Sequence, residues 1–250
     1  MSGSRQRTCK LTVSMCILVA FVATPVWTLA ETPAPGSWPT EEWPISIPEA
    51  HGLDAVRLQE LVNLIAAGER FPDLHSLLVV RHGQLVVEEY FAGHRAGALH
   101  TLQSVTKSFT SAAIGIAIEK GYIEGVAEPV LGFFPGLEDI DHVDERKRAM
   151  TLEDLLTMRS GTDYHERDSD SPHHRLNALP RGWTEFVLSR PMISDPGTTF
   201  QYDSGGVILM SAILKARTGE HADAFLAEHV FAPLGIERHR WFRNAEGLSL

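Results

Sequence analysis

A long apolar run with a serine and a lysine at its head constrains this chain more than any other feature. Residues 108–118 carry no charge, and Glu119 is the first charged residue after Lys107. A helix that is apolar around its whole circumference is typical of a buried position. The pattern therefore predicts a buried helix over 104–120, with Gly121 as its C-terminal stop.

Ser104 and Lys107 stand at the start of this predicted helix with the spacing Ser-x-x-Lys. Residues three apart on a helix are neighbours, with roughly 5–6 Å between their Cβ atoms, so the lysine amine can reach the serine hydroxyl. Burial and the positive end of the helix dipole both disfavour an ammonium ion here. A neutral amine can take the hydroxyl proton, which makes Ser104 a candidate nucleophile. Taken alone, the same tetrapeptide also occurs on solvated helix faces, where it has no catalytic role.

A second element lies far along the chain, where a Pro-Gly turn at 196–197 leads into Tyr202-Asp203-Ser204. Another apolar helix is predicted over 207–217, and Gly219 ends it. Taken alone, Tyr202 also fits an ordinary half-buried aromatic side chain at the edge of a loop.

Together the two elements resemble the serine β-lactamase and penicillin-binding protein superfamily. The closer likeness is to its class C β-lactamase-like branch, which includes esterases and amide hydrolases. In that branch a Ser-x-x-Lys motif is followed by Tyr-x-Asn or Tyr-x-Ser. Two further segments extend the likeness: 151–161 looks like the family's helix and Ser-Gly turn, and 225–236 looks like its later helix and Pro-Leu-Gly turn.

The resemblance implies an α/β (α+β) fold, in which an antiparallel sheet is flanked by helices and the site lies between the sheet and a mostly helical lobe. It implies that Ser104 forms a covalent acyl-enzyme, that Lys107 accepts its proton and that Tyr202 shuttles a proton to the leaving group. Which of Lys107 and Tyr202 is the base depends on their coupled protonation. Ser204 stands where many members have Asn, and its hydroxyl is predicted to contact the substrate because it can still donate or accept a hydrogen bond.

One family motif is absent. No Lys-Thr-Gly or His-x-Gly follows Tyr202 in this sequence. In the family, the late strand with that motif completes the sheet and supplies one oxyanion donor, and the Ser104 backbone N–H supplies the other. We therefore expect 51–250 to be a C-terminally truncated β-lactamase-like domain with an incomplete sheet. We also expect it to be much less active than a form extended through those strands.

Three functions fit these residues. The first is a secreted serine hydrolase acting on an ester, an amide or a β-lactam. The second has the same chemistry and is a D-Ala-D-Ala carboxypeptidase acting on the cell wall. The third is an inactive truncated relative that does not catalyse. The substrate is expected to be a small molecule, and no cofactor and no metal are implied.

The N-terminus has the pattern of a secretory signal peptide over 1–30. A basic head precedes a mostly apolar stretch at 11–22, and small residues at 28–30 offer a cleavage site before Glu31. The apolar stretch is short for a bilayer span of about 20 residues, so an uncleaved anchor is the weaker alternative. We expect a secreted or periplasmic protein with no stable membrane span after cleavage. Residues 31–50, rich in Pro and Trp, are expected to form an extended lead-in.

Charge and cysteine usage exclude other classes. The formal net charge is −10, which disfavours a nucleic-acid partner because phosphate binding needs basic patches. Both cysteines, Cys9 and Cys16, lie in the predicted signal peptide. The mature chain would therefore contain no disulfide and no thiolate metal site.

Local patterns predict the remaining elements. Residues 54–67 have a helical period, the β-rich runs 74–80 and 85–91 form a hairpin, and the charge-dense segment 138–148 is a solvated surface. Thr151 with Asp154 predicts a capped helix start. The polar segment 162–182 is interpreted as a loop over the mouth of the site. It carries no helix-face His-x-x-x-His pair, although it contains His165, His173 and His174.

Overall fold

The structure is a computed structural model that describes residues 42–248. The predicted signal peptide and most of the predicted lead-in lie outside the described residues. Within 42–248, no helix combines the length and the apolar character that a membrane span requires. The visible end of the lead-in adds to the hairpin edge, because Ser46 N–H donates to the carbonyl of Leu85 at 3.1 Å.

Helices make up most of the described chain, and the strands form one antiparallel hairpin. The helices are α1 (Ala55–Ala66), α2 (Thr106–Glu119), α3 (Glu145–Ala149), α4 (Leu152–Leu156), α5 (Pro172–Asn177), α6 (Trp183–Leu188), α7 (Ser204–Thr218) and α8 (Ala222–Leu226). The strands are β1 (Ser76–Arg81) and β2 (Gln84–Tyr90). Short 3₁₀ turns cover Pro48–His51, Gln103–Val105 and Val130–Phe133, and a π turn covers Ala227–Phe231.

The hairpin and α1 form the smaller of two cores. β1 and β2 pair from Ser76 opposite Tyr90 to Arg81 opposite Gln84, with one irregularity between Val79 and Val80. The apolar side of α1 packs against this hairpin, and its core consists of Val62, Ile65 and Phe91. The predicted hairpin and the predicted helix at 54–67 are both confirmed, to within two residues at each end.

The larger core is helical, and α7 runs through its centre. Residues 204–214 of α7 are buried without interruption, and they pack against α2, α4 and α6. α7 begins at Ser204, three residues before the predicted start, because the Asp203 side chain accepts a hydrogen bond from Gly206 N–H and caps the helix. It ends as predicted at Gly219, which has a left-handed φ of 80°.

Several sequence predictions need correction. The helix at 104–120 is not buried all round, because Ser111, Ala112 and Gly115 face outward while Ala113, Ile114 and Ala117 are buried. The segment 162–182 is not entirely irregular, because it contains α5. Ser171 caps α5 and Pro172 occupies its first turn, a start signal that the polar composition obscured.

The charge-dense segment 138–148 is not wholly a solvated surface, because Lys147 has no exposed side-chain area. Its Nζ atom donates to the carbonyl of Leu188 at 2.5 Å and also to the carbonyl of Arg190. These carbonyls lie at the C-terminal end of α6, where a positive charge is favourable. Burial lowers the pKa of Lys147 to about 8, while the charge of Asp144 opposes that shift.

The predicted α/β (α+β) class, with an antiparallel sheet beside a mostly helical lobe, is confirmed. The described sheet has two strands. α2 follows the hairpin along the chain and packs on α7. The segments that precede these two helices come together, because Tyr202 Oη lies within hydrogen-bond distance of Ser104 Oγ.

Candidate active site

Ser104 lies in a 3₁₀ turn, two residues before α2 begins at Thr106. The residue before it, Gln103, has a φ of 47°, in the left-handed region that residues other than glycine rarely occupy. Such a conformation costs about 1–3 kcal/mol and persists only where the surrounding structure enforces it. The turn leaves Ser104 exposed, and its backbone N–H has no acceptor among residues 42–248. The hydroxyl is therefore accessible, with a free N–H beside it.

Two side chains converge on the Ser104 hydroxyl. Lys107 Nζ lies 3.0 Å from Ser104 Oγ, one helical turn along the chain. Tyr202 Oη lies 2.5 Å from the same oxygen, although the two residues are far apart in sequence. Lys107 Nζ also lies over the Tyr202 ring, 5.2 Å from its centroid. One oxygen therefore has two proton-transfer groups within hydrogen-bond reach.

Backbone contacts hold the segment that carries Tyr202. Gln201 N–H donates to the carbonyl of Met158 at 2.9 Å, and its side-chain amide donates to the carbonyls of Thr162 and Tyr164 at 3.3 and 2.5 Å. Gln201 thus ties the segment to the loop after α4. Tyr202, the next residue, points away from this loop and keeps 41% of its surface exposed.

Asp203 lies beneath the site and is 3% exposed. Its carboxylate accepts hydrogen bonds from Gly206 N–H at 3.0 Å and from Ser160 Oγ at 2.9 Å. Burial raises the pKa of Asp203 to about 6, and Glu166 adds to this shift, whereas the bonds from Gly206, Ser160 and Gly205 oppose it. The middle residue of the Tyr-x-Ser motif therefore starts α7 and, through the backbone, positions Tyr202.

The turn at Ser160-Gly161 requires a glycine at its second position. Gly161 has a φ of 76°, and a Cβ atom built there would lie 2.5 Å from the carbonyl oxygen of Ser194. Any side chain would displace this turn. Since Ser160 bonds to Asp203, the turn is linked directly to the start of α7.

Glu166 is a site neighbour that the sequence patterns did not reveal. Its Oε1 atom accepts a hydrogen bond from the backbone N–H of Ser204 at 3.0 Å. It also raises the pKa values of Asp203 and Tyr164 through charge, in both cases after burial as the main cause. The only sequence signal was its place in the acidic, histidine-containing loop.

His173, on α5, is a second neighbour. Its ring nitrogens lie 3.2 Å from Tyr164 Oη and 3.1 Å from Asn177 Nδ2. Burial lowers its pKa, Glu166 counteracts this shift, and the charges of His174 and Lys107 contribute further lowering. α5 therefore lies close enough to the site for Lys107 to influence it. Within the described chain, His165, His173 and His174 do not gather into a set of three ligand atoms that could hold a metal.

The structure thus brings together three of the four predicted site residues, Ser104, Lys107 and Tyr202. Ser204 lies behind them in the first turn of α7 and is 2% exposed. Its contact with a substrate stays a prediction.

A serine hydroxyl that contacts a lysine amine and a tyrosine hydroxyl can lose its proton to either group, and the free backbone N–H beside it can stabilise negative charge. The model of the β-lactamase family matches residues 70–247, which is most of the chain. The chain belongs to the β-lactamase family, as its motifs predicted.

Two curated relatives and one solved structure illustrate the likeness. The 6-aminohexanoate-dimer hydrolase of Paenarthrobacter ureafaciens is 27% identical over 202 residues, which cover 74% of this chain and 50% of the relative. The lovastatin esterase of Penicillium rubens is 30% identical over 159 residues, 56% of this chain and 39% of the relative. The octameric penicillin-binding protein homologue from Pyrococcus abyssi has the same fold with a TM-score of 0.59 at 22% identity, covering 76% of this chain and 45% of that one.

The chain spans half the length of the first of these relatives, and less of the second.

Proposed function

We propose that this chain carries the acylating site of a secreted serine hydrolase that acts on an ester, an amide or a β-lactam through an acyl-enzyme on Ser104. One observation carries the proposal: Ser104 Oγ is within 3.0 Å of Lys107 Nζ and 2.5 Å of Tyr202 Oη. A serine hydroxyl is a weak nucleophile until a neighbouring base takes its proton. Here Lys107 Nζ and Tyr202 Oη both lie within hydrogen-bond distance of that hydroxyl.

In the acylation step, Ser104 Oγ forms a bond to the carbonyl carbon of the substrate while its proton passes to Lys107 or Tyr202. The carbonyl oxygen becomes an oxyanion. It is stabilised by the backbone N–H of Ser104, which has no other acceptor within 42–248. Ser104 lies two residues before α2, and the N-terminal end of a helix favours negative charge. The bond to the leaving group then breaks, and the leaving alcohol or amine takes the proton through Tyr202.

In the deacylation step, a water molecule attacks the acyl carbon and releases the acid. The water loses a proton to the same pair of side chains, and Ser104 Oγ regains one. Lys107 and Tyr202 thus act in both directions, which requires that they stay in contact with Ser104 Oγ throughout the cycle.

The surroundings of Ser104 favour a substrate with an apolar acyl group. Leu102 and Val105 flank the serine in sequence, and Phe200 precedes the tyrosine by two residues. All three are more than half exposed. The relatives support hydrolysis as the reaction class, since one is named a dimer hydrolase and another an esterase.

The test is covalent labelling with a fluorophosphonate probe, followed by trypsin digestion and mass spectrometry. Trypsin cleaves after basic residues, and Lys107 separates Ser104 from Ser108, the next serine on the same helix. Probe mass is expected on the peptide 96–107 and not on the peptide that begins at Ser108. Ser104→Ala should abolish labelling. Ser108→Ala, an exposed serine one turn further on, is the matched control and should label like the unmodified protein.

Labelling that survives Ser104→Ala would refute the assignment of the nucleophile. Complete absence of labelling in the folded, unmodified protein would favour the alternative of an inactive relative. Hydrolysis of acyl esters compared with D-Ala-D-Ala peptides then separates the small-molecule hydrolase from the carboxypeptidase.

We also propose that the protein is secreted or periplasmic, on the signal-peptide pattern of residues 1–30. Intact mass measurement of protein recovered from the periplasm or medium should show an N-terminus at Glu31. Recovery of the chain only in the cytoplasm with residues 1–30 retained would contradict this proposal.

A further inference from the structure

A cluster of three histidines lies at the open end of the hairpin, outside the candidate active site. His75 immediately precedes β1, His94 follows β2, and His100 lies in the segment that leads to Ser104. Each offers a ring nitrogen, and these nitrogens all lie within 4.8 Å of one another. We propose that this cluster is a binding site for a divalent transition metal, with Zn²⁺ as the representative ion.

The backbone brings the first two histidines together. Phe91 N–H donates to the carbonyl of His75 at 3.0 Å, which continues the strand pairing by one step beyond β1 and β2. His94 N–H then closes a turn onto the carbonyl of Phe91 at 2.9 Å. As a result the His75 and His94 rings stack, with centroids 3.8 Å apart and planes 18° from parallel.

His100 completes the set and is oriented by its own second contact. Its Nδ1 atom lies 2.9 Å from the carbonyl of Thr101, so this nitrogen is the donor and Nε2 carries the lone pair. Nε2 lies 2.6 Å from Nδ1 of His75. A backbone carbonyl that fixes the tautomer is the usual second contact of a metal-binding histidine.

A tetrahedral ion requires the His75 and His94 rings to rotate out of their stacked arrangement, because an imidazole nitrogen coordinates a metal in the plane of its ring. Zn–N bonds of about 2.0–2.1 Å place two tetrahedral ligands roughly 3.3 Å apart. The closest pair of ring nitrogens is 2.6 Å apart, and all the ring nitrogens in the set lie within 4.8 Å of one another. Three imidazoles favour Zn²⁺, Cu²⁺ or Ni²⁺ over Mg²⁺ and Ca²⁺, which prefer oxygen ligands. A water molecule would complete the coordination.

Such an ion would hold in place the segment that leads to Ser104. His100 is four residues before Ser104, whereas His75 and His94 belong to the hairpin ends. A bound metal would join the smaller core to the segment that carries the active-site turn. The inference does not depend on the proposed hydrolase activity, and Ser104→Ala is expected to bind Zn²⁺ as tightly as the unmodified protein.

The experiment is calorimetric titration of the full chain with Zn²⁺, without a histidine tag. Cys9 and Cys16 are replaced by serine in every sample, so that thiolates outside the described residues cannot bind the metal. One Zn²⁺ per chain is expected, and at about a hundred times the dissociation constant the melting temperature should rise by about 5–10 °C. Mg²⁺ should have no effect.

Variants locate the ion. His94→Gln and His100→Gln should each weaken Zn²⁺ binding at least about tenfold, as expected for the loss of one ligand. The matched control is His82→Gln, because His82 pairs with His51 through ring nitrogens 3.1 Å apart elsewhere on the protein surface. This control should bind Zn²⁺ like the parent. Since the two cluster positions tested are partly or fully exposed, the fold should persist, which circular dichroism will verify.

X-ray absorption of the Zn²⁺-loaded parent protein gives a result that needs no variant, because it counts imidazole ligands directly. Three imidazoles are expected. Fewer than three, a loss of binding in His82→Gln but not in His100→Gln, or no saturable binding would each overturn the inference.

Discussion

Asp203 connects the stability of the fold to the geometry of the site, and its substitution gives the sharpest prediction. The folded protein holds this carboxyl group with a pKa of about 6. In an unfolded chain the value is about 3.9. Between about pH 4 and pH 6 the folded state therefore binds more protons than the unfolded state, so this group makes stability fall as the pH rises. Above pH 6 the penalty is complete, and it amounts to about 3 kcal/mol at most.

Asp203→Asn removes the penalty while it keeps the contacts. Asparagine caps helices as well as aspartate does, so Gly206 N–H retains an acceptor. The new amide can donate to Ser160 Oγ, whose proton can turn to Thr162 Oγ1, 3.0 Å away. Relative to the unmodified protein, the variant should gain stability on going from about pH 4.5 to pH 7.5. About 2 kcal/mol of the penalty develops over this range, so the gain should be about 4–8 °C in melting temperature.

The assay is thermal unfolding of both proteins at the two pH values, and the quantity of interest is the difference between the variant and the parent. This difference cancels the pH dependence of stability that comes from the other titrating groups, because both proteins contain them. Asp203→Ala is the contrast, since it removes the cap of α7 and leaves the buried Gly206 N–H without its acceptor, which should cost about 1–3 kcal/mol. A variant-to-parent difference for Asp203→Asn that is the same at both pH values would refute the raised pKa.

Three further predictions concern single side chains. Lys107→Arg keeps the charge but cannot release a proton, so turnover should fall by orders of magnitude with the melting temperature nearly unchanged; near-normal turnover would make the lysine structural. Tyr202→Phe should likewise reduce turnover and leave stability intact, because it removes only an exposed hydroxyl, whereas lost stability with retained turnover would identify a packing role. Lys147→Met should lower the free energy of unfolding by about 2–4 kcal/mol, because the buried carbonyl of Leu188 and the partly buried carbonyl of Arg190 lose their donor. The exposed Lys120→Met is its control, and equal melting temperatures would show that the buried amine contributes little.

The elements that the sequence predicted well are those with strong local signals. The apolar stretch of α7 and its terminal Gly219 defined a helix, and Thr151 with Asp154 defined the capping box at α4 that the structure contains. The spacing of Ser104 and Lys107 placed both at one helix start, and the structure agrees to within two residues.

The features that the sequence missed depend on contacts between distant segments. Lys147 is buried only because the end of α6 presents carbonyl groups to it, and a charge-rich segment carries no sign of such a partner. Glu166 reaches Ser204 from a loop whose path no periodicity describes. His75, His94 and His100 meet only after the hairpin has formed, so their spacing along the chain resembles no metal motif.

The alternation at Tyr202 and Asp203 has a practical use. The Tyr202 side chain is exposed beside Ser104 and the Asp203 side chain is buried, although the two residues are consecutive. In a library of all single substitutions, cellular abundance and turnover should decline together at position 203, with Asp203→Asn as the exception, but should diverge at position 202. The two positions therefore serve as internal references. A substitution elsewhere that lowers abundance and turnover together, as at position 203, damages the fold, and one that lowers turnover alone, as at position 202, damages the chemistry.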